Sequence, residues 1–209
     1  MSRCFFVTGT DTGVGKTAIS CALLSMMNKM QVRTLGIKPV ASGLIRWGTR
    51  YYNEDALRLK QFSSIKLPYK YINPYAFHAP VSPHWAATLE NKTLSAQAIV
   101  AACQPALTTP FDFALIEGVG GWFAPINAQE TMAEVARLCQ CPVILVVGMR
   151  LGCLNHALLT YQAIKQSGLT VAGWVANQIV PDMLYCEENI DFLKHKIAAP
   201  CLGVVPYER

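Results

Sequence analysis

Gly9-Thr10-Asp11-Thr12-Gly13-Val14-Gly15-Lys16-Thr17 follows the apolar run Cys4-Phe5-Phe6-Val7 and precedes a stretch in which Ile19, Ala22, Leu23, Met26, Met27 and Met30 recur at helical spacing. The first run reads as a buried strand, the second as a helix with one apolar face. A glycine-rich turn between them, closed by Gly15-Lys16-Thr17, is the context of a phosphate-binding loop. Glycines let the backbone curl so that several N–H groups face one anion, and the helix start adds partial positive charge. Lys16 is then expected to reach the outer phosphates, and the Thr17 hydroxyl to ligate Mg²⁺. The strict spacing asks for glycine where Thr10 stands; Gly9 lies one residue earlier. The competing reading is a glycine-rich turn that only joins strand to helix.

Downstream, Phe113-Ala114-Leu115-Ile116-Glu117-Gly118-Val119-Gly120-Gly121 is a second apolar strand, ending in an acid and then glycines. In proteins with a phosphate-binding loop, an acid at that place orients Mg²⁺ and its waters. Thr34 to Val40 reads as a strand that Pro39 brings to an end, because proline donates nothing to a ladder. Lys38 there is either a cation at the ligand edge of the sheet or a lysine reaching solvent from a strand end. Ser42-Gly43 follow in a loop that could approach the same ligand. Glu54 to Phe62 reads as a helix whose first turn holds Glu54 and Asp55, a place the helix dipole alone would justify.

Leu67 to Pro83 is rich in proline and aromatics and reads as a long ordered loop. Ser82-Pro83 and Ser95 mark two helix starts. Pro142 to Gly148 is nearly all aliphatic, as in a parallel strand covered on both faces. A helix opens around Leu151 to Asn155, a strand runs from Val171 to Ala176, and Asn177-Gln178 lie at its end. A helix from Glu187 to His195 and a short strand from Cys201 to Val205 close the chain. Strand and helix alternate throughout, which predicts an α/β, three-layer fold of the P-loop NTPase type, with a mostly parallel sheet and helices on both faces. Its ligand edge gathers Gly9 to Thr17, Lys38, Glu117, Gly148 to Gly152 and Asn177.

Bulk composition limits the alternatives. With 209 residues, 52% hydrophobic and 15% charged, the chain suits one well-buried domain over residues 1–209 and is too apolar for disorder. No apolar run is long enough to span a bilayer and no signal-peptide pattern opens the chain, so the expected compartment is cytoplasmic and no membrane partner is expected. The eight cysteines are scattered over predicted strands and helices and read as free, mostly buried thiols. Cys139-Gln140-Cys141 has one spacer and no neighbouring histidine, which does not suit zinc. Arg46 to Lys70 mixes basic and aromatic residues, yet a net charge of +5 and the lack of any nucleic-acid module favour a solvated face near a polyanionic nucleotide.

Taken together the motifs resemble the dethiobiotin synthetase family of the biotin pathway, from about Phe6 to Tyr207. The resemblance rests on Val-Thr-Gly-Thr-Asp-Thr-Gly-Val-Gly-Lys-Thr from Val7, Lys-Pro-Val-Ala-Ser-Gly from Lys38 and Asn-Pro-Tyr from Asn73. It continues in Glu-Gly-Val-Gly-Gly-Trp from Glu117, Leu-Gly-Cys-Leu-Asn-His from Leu151 and Gly-Trp-Val-Ala-Asn from Gly173. The family's loop has the longer spacing, which accounts for Thr10. The implied reaction joins ATP, CO₂ and 7,8-diaminononanoate into dethiobiotin, ADP and phosphate, through a carbamate and a carbamic-phosphoric anhydride.

The resemblance also implies site roles. Gly13, Val14, Gly15, Lys16, Thr17 and Ala18 would hold the phosphates, and Gly118, Val119 and Gly120 would also bind the nucleotide. Thr17, Asp55 and Glu117 would surround Mg²⁺. Lys38, with Lys16, would be catalytic, pairing with the carbamate and the moving phosphoryl group, and Thr12 and Ser42 would touch the substrate. Asn177 and Gln178 would meet adenine, flanked by Pro206, Tyr207 and Glu208. Gly152, Cys153, Leu154 and Asn155 would catch the substrate's far carboxylate from a partner subunit, so a homodimer is implied. Two departures stand out: Asn189 occupies the place of a carboxylate-binding tyrosine, with Tyr185 one turn earlier, and contacts from a longer tail beyond Arg209 are expected to have no counterpart. A partitioning or septum-placement ATPase, the main rival, would carry a signature lysine where this chain has Asp11. A cobyrinic acid synthase-type amide ligase would need a glutaminase domain for which 209 residues leave no room.

Overall fold

The phosphate-loop strand β1 (Arg3–Gly9) lies inside a sheet, flanked by β7 (Phe113–Glu117) and β8 (Val143–Met149). A computed structural model describes residues 3–207. Between these strands the chain forms α1 (Lys16–Lys29), β2 (Thr34–Ile37), β3 (Val40–Ser42), β4 (Ile45–Trp47), β5 (Arg50–Tyr52), α2 (Glu54–Phe62) and α3 (Tyr69–Ile72). It then forms β6 (Tyr75–Phe77), α4 (Pro83–Leu89), α5 (Ala96–Leu107) and, after β7, α6 (Met132–Cys139). Beyond β8 come α7 (Cys153–Gln166), β9 (Val171–Gln178), α8 (Cys186–Lys196) and β10 (Cys201–Val205). The main sheet has six strands in the order β10-β9-β8-β1-β7-β2, and every pairing in it is parallel.

Successive strand residues point to opposite faces, and the core divides accordingly. Phe6 packs with α4 to α8, whereas Val7 packs with Ile19 and Leu24 of α1 and Leu59 of α2. All seven residues of β8 are buried, as the unbroken aliphatic run requires of a strand with helices on both sides. All eight cysteines are free thiols.

Several expectations need correction. The strand expected over Thr34 to Val40 is two strands: β2 ends at Ile37, and β3 leaves the main sheet to pair with β6. Lys38 and Pro39 occupy the break. The loop expected from Leu67 to Pro83 holds α3 and β6, elements too short for periodicity to register. A small hairpin, β4 and β5, lies in the basic and aromatic stretch. The helix after Ser95 runs on to Leu107 with Pro105 inside it, and α6 is secured by a capping box between Thr131 and Glu134. Helix α2 has the expected bounds, and its N-cap is Asn53, whose side chain accepts from Ala56 N–H.

Candidate active site

The residues expected to handle phosphate converge at the C-terminal edge of β1, β2 and β7. Gly13 and Gly15 have φ of 73° and 88°, the left-handed region in which glycine is at ease. Gly15 is the N-cap of α1, and a Cβ there would run into the Asn177 amide. Lys16 follows immediately; it is buried, and its ammonium donates to the Asp11 carbonyl at 2.9 Å. Burial and then the Lys38 charge lower its pKa to about 8, partly opposed by Glu117, Asp55 and Asp11.

Glu117, expected either at the ligand edge or in solvent, is fully buried. Its Oε1 accepts from the Thr17 hydroxyl at 2.7 Å and from Lys38 Nζ at 2.7 Å. Its Oε2 is buried and has no hydrogen-bond partner among the described residues. Lys38 also donates to the Gly118 carbonyl at 2.9 Å and lies 3.4 Å from Asp55 Oδ2. Burial alone would favour neutral Lys38; the Glu117 and Asp55 carboxylates outweigh it and hold the pKa above the ordinary lysine value. For Asp55 burial likewise works against the charged form, but Lys38, the Thr17 hydroxyl and Lys16 prevail and keep its pKa low. Lys16 and Thr17 of α1, Lys38 in the break after β2, half-exposed Asp55 of α2 and Glu117 of β7 thus gather in one cluster, and Lys38 is buried rather than reaching solvent from a strand end.

The turn after β7 completes the near wall. Gly120 has φ of 63°, and a Cβ on it would meet Ala124 at 2.9 Å and Thr12 Oγ1 at 3.7 Å, so the Gly118-Val119-Gly120 turn lies against Thr12. Thr12, Gly13 and Ala18 are exposed along the loop, and Ser42 is half-buried at the end of β3. On the other side, Asn177 Nδ2 donates to the Val14 carbonyl at 2.9 Å, so this amide braces the loop, and its Oδ1 has no hydrogen-bond partner among the described residues. Gln178 Oε1 accepts from Tyr207 N–H at 3.3 Å, and Pro206 and Tyr207 are exposed. Glu208 lies outside the described residues.

Gly152, Cys153, Leu154 and Asn155 form the start of α7, with Gly152 as a left-handed N-cap. They border a cavity of about 700 Å³ that Arg150, Met183, Leu184 and Asn189 also line. Asn189 faces this space; Tyr185, 73% exposed, does not line it. Leu151 beside it is 98% exposed.

Sequence reasoning missed Arg150. Its guanidinium pairs with Asp11 Oδ2 at 2.8 Å, while Asp11 Oδ1 accepts from Thr12 N–H at 2.7 Å. The position taken by lysine in partitioning ATPases therefore holds an acid that ties the loop to the end of β8. The signal was Asp11 itself, an uncompensated charge inside a phosphate loop; its partner, 139 residues away, has no sequence signature.

Known proteins place the chain as a whole. A family profile described as "AAA domain" matches residues 3–209. The chain is 48% identical over 204 residues to the ATP-dependent dethiobiotin synthetase of Cellvibrio japonicus, covering 98% of this chain and 89% of that protein. It is 46% identical over 207 residues to an ATP-dependent dethiobiotin synthetase of Escherichia coli K12, covering 99% and 92%. Among solved structures, the septum site-determining protein MinD of Pyrococcus horikoshii, complexed with Mg-ADP, superposes with a TM-score of 0.58 at 18% identity, over 100% of this chain and 82% of that one. Chloroplast FtsY of Physcomitrella patens gives 0.59 at 17%, over 100% and 60%. At such low identity the last two establish the P-loop α/β fold alone. The two close relatives, matched along nearly their whole length, settle the lineage: the chain belongs to the dethiobiotin synthetase family.

Proposed function

We propose that residues 1–209 act as one domain that carboxylates 7,8-diaminononanoate with CO₂ and closes the ureido ring of dethiobiotin at the expense of ATP. The observation that carries this reading is the cluster of buried Lys16, Thr17, Lys38 and Glu117 with half-exposed Asp55 at the sheet edge, in a chain of this family. One amine captures CO₂ as a carbamate, a carbamate oxygen attacks the γ-phosphorus, and ADP departs. The second amine then attacks the carbonyl carbon of the anhydride, and phosphate leaves. No protein nucleophile is required, so the residues contribute position and charge.

The loop N–H groups and Lys16 hold the phosphates. Lys38 stays protonated between Glu117 and Asp55 and presents its charge to the carbamate and the moving phosphoryl group. The loop thus holds the outer phosphate beside Lys38, which is where a carbamate must come. Asn177 offers its free Oδ1 to the adenine amino group while Nδ2 holds the loop. Gln178, Pro206 and Tyr207 flank the base.

The donor set fits Mg²⁺: a hydroxyl and two carboxylates are hard oxygen ligands, few enough to leave room for water and phosphate, and Glu117 Oε2 has no hydrogen-bond partner among the described residues. Thr17, Asp55 and Glu117 would hold the ion, which when bound neutralises phosphate charge. The α7 start, from Gly152 to Asn155, takes the substrate carboxylate at a site completed across a homodimer, with Asn189 lining the same cavity. No helix among the described residues is long and apolar enough to cross a membrane, which suits a cytoplasmic enzyme with small-molecule partners.

The deciding experiment supplies ATP, Mg²⁺, bicarbonate and the diamine, and follows ADP together with dethiobiotin by mass spectrometry. Equal amounts of both are expected. ADP formed at the same rate with and without the diamine would overturn the reading.

A further inference from the structure

Lys38 sits where the sheet gives out. Ile37 is the last residue paired with β7 and Val40 the first paired with β6, so neither ladder serves the Lys38 backbone. Pro39, next to it, has no N–H to offer. The Lys38 N–H donates instead to the Ile72 carbonyl at 2.8 Å, and its carbonyl accepts from Asn73 Nδ2 at 2.8 Å. The Asn-Pro-Tyr motif therefore begins with a side chain that grips the backbone of Lys38.

The grip continues. Asn73 Oδ1 accepts from the Tyr69 hydroxyl at 2.9 Å, and the Tyr69 oxygen accepts from Asn53 N–H at 2.8 Å. Asn53 Nδ2 donates to the carbonyls of Ser42 and Gly43 at 3.3 and 3.4 Å, and its Oδ1 caps α2 two residues ahead of Asp55. Both ends of the chain fix its direction. A backbone N–H only donates, so the Tyr69 oxygen must accept there and direct its own O–H to Asn73 Oδ1. A carbonyl only accepts, so Asn73 must turn Nδ2 toward Lys38. Burial raises the pKa of Tyr69, which keeps that proton in place. Asn53 and Asn73 are buried, and Tyr69 is braced edge-on by Tyr52 at 4.9 Å. With both ends fixed by backbone groups, this part-buried network has one arrangement of donors and acceptors.

We propose that Asn53, Tyr69 and Asn73 are positioning residues that lock Lys38, Ser42 and Asp55 at fixed mutual distances, so that the phosphorylated carbamate is held for the second amine rather than lost to water. The inference rests on the proposed reaction. When the hold is loosened, water takes the amine's place at the anhydride. Phosphate leaves, the carbamate reverts to amine and CO₂, and ATP is consumed without a ring being closed.

The test is the ratio of ADP released to dethiobiotin formed, which does not depend on how much protein is folded. Tyr69→Phe removes one oxygen from the middle of the network. Asn53→Ser keeps a cap for α2 and loses the link to Ser42 and Gly43. Both are expected to lower kcat at least tenfold and to raise the ratio from one to three or more, with KM for ATP within twofold of wild type. Thr131→Ala, which weakens the α6 cap through bonds to Glu134 and Ala133 and none to the network residues, is expected to lower Tm and leave the ratio at one. If Tyr69→Phe does not fold, Asn53→Ser alone decides. Wild-type enzyme that forms no dethiobiotin would defeat the proposed reaction itself. Wild type coupled one to one, with both variants also at one, would overturn the network inference whatever happened to kcat.

Discussion

Lys38 and Glu117 form an ion pair sealed from water: Nζ stands 2.7 Å from Oε1, with the side chains 3% and 0% exposed. They come from β2's end and β7, neighbouring strands that parallel pairing brings level. Such a pair is weak evidence of stability, because desolvation offsets much of the attraction. Its value lies in holding a permanent positive charge at one point of the reaction rim.

Removing that charge should be costly to the chemistry. Lys38→Ala, and separately Lys16→Ala, are expected to slow turnover by about 10²-fold or more, roughly 3 kcal/mol for one lost charge stabiliser. Lys38→Ala also strands Glu117, so a lower Tm is expected. Single-turnover rates on the folded fraction check the first point and calorimetry the second. Turnover within tenfold of wild type would remove either lysine from its assigned role.

Lys16 makes nucleotide binding depend on pH. Its folded pKa of about 8 lies below the ordinary lysine value of 10.5. The unfolded chain therefore binds more protons between those values, and stability from this group rises with pH across that window, its cost being complete below pH 8. A bound triphosphate restores the charged form. Binding at pH 8.5 should thus take up part of a proton, visible by calorimetry in buffers of different ionisation enthalpy. Affinity should also fall as pH rises through 8. A binding heat independent of buffer would contradict this.

Asn177 has two jobs in this reading, and they separate. Asn177→Ala loses the brace on Val14, so inorganic triphosphate is expected to bind several-fold more weakly, about 1 kcal/mol for one hydrogen bond. ATP should lose a further factor of similar size through the base. Competition titrations measure both. Equal losses for the two ligands would discard the base contact, and no loss for triphosphate would discard the brace.

Asp55→Asn should act on the metal. The variant keeps its shape and the α2 cap but gives up a hard anionic ligand. Half-saturation by Mg²⁺ is expected to rise more than tenfold, and chelator should abolish turnover in both proteins. Unchanged Mg²⁺ dependence would take Asp55 out of the ligand set.

Two inactive variants should complement each other if the site spans subunits. Lys38→Ala damages one half, and Leu154→Asp sets a like charge beside the substrate carboxylate in the other. After subunit exchange about half of the dimers are mixed, each with one intact site, so about a quarter of wild-type activity is expected. Mixed samples as inactive as their components would mean that each site lies within one chain.

What the sequence revealed depended on the range of the interaction. The strand, glycine turn and helix around Lys16 are local, and so is the acid that ends β7; spacing alone located them. From its own surroundings Asp55 read only as a helix-start acid, and its metal role came from the family resemblance alone, because its partner Lys38 lies outside its helix. The split at Lys38 and Pro39 was hidden because a run of strand residues gives no sign of changing sheets. Helix α3 has four residues, and the hairpin strands three each, below the length at which periodicity has meaning. Arg150 with Asp11, and Asn53 with Tyr69 and Asn73, are polar contacts across the fold, and polar pairs carry no pattern along a chain.

The placement of β1 has a kinetic consequence. With a hydrogen-bonded neighbour on each side, its amides exchange with solvent only when the whole sheet opens, whereas β4 and β5 pair only with each other. The phosphate half of the rim therefore belongs to the slowest-opening part of the molecule, and the hairpin between Ser42 and Asp55 to the fastest. Deuterium uptake should rank them in that order, the hairpin amides exchanging first and those of β1 last.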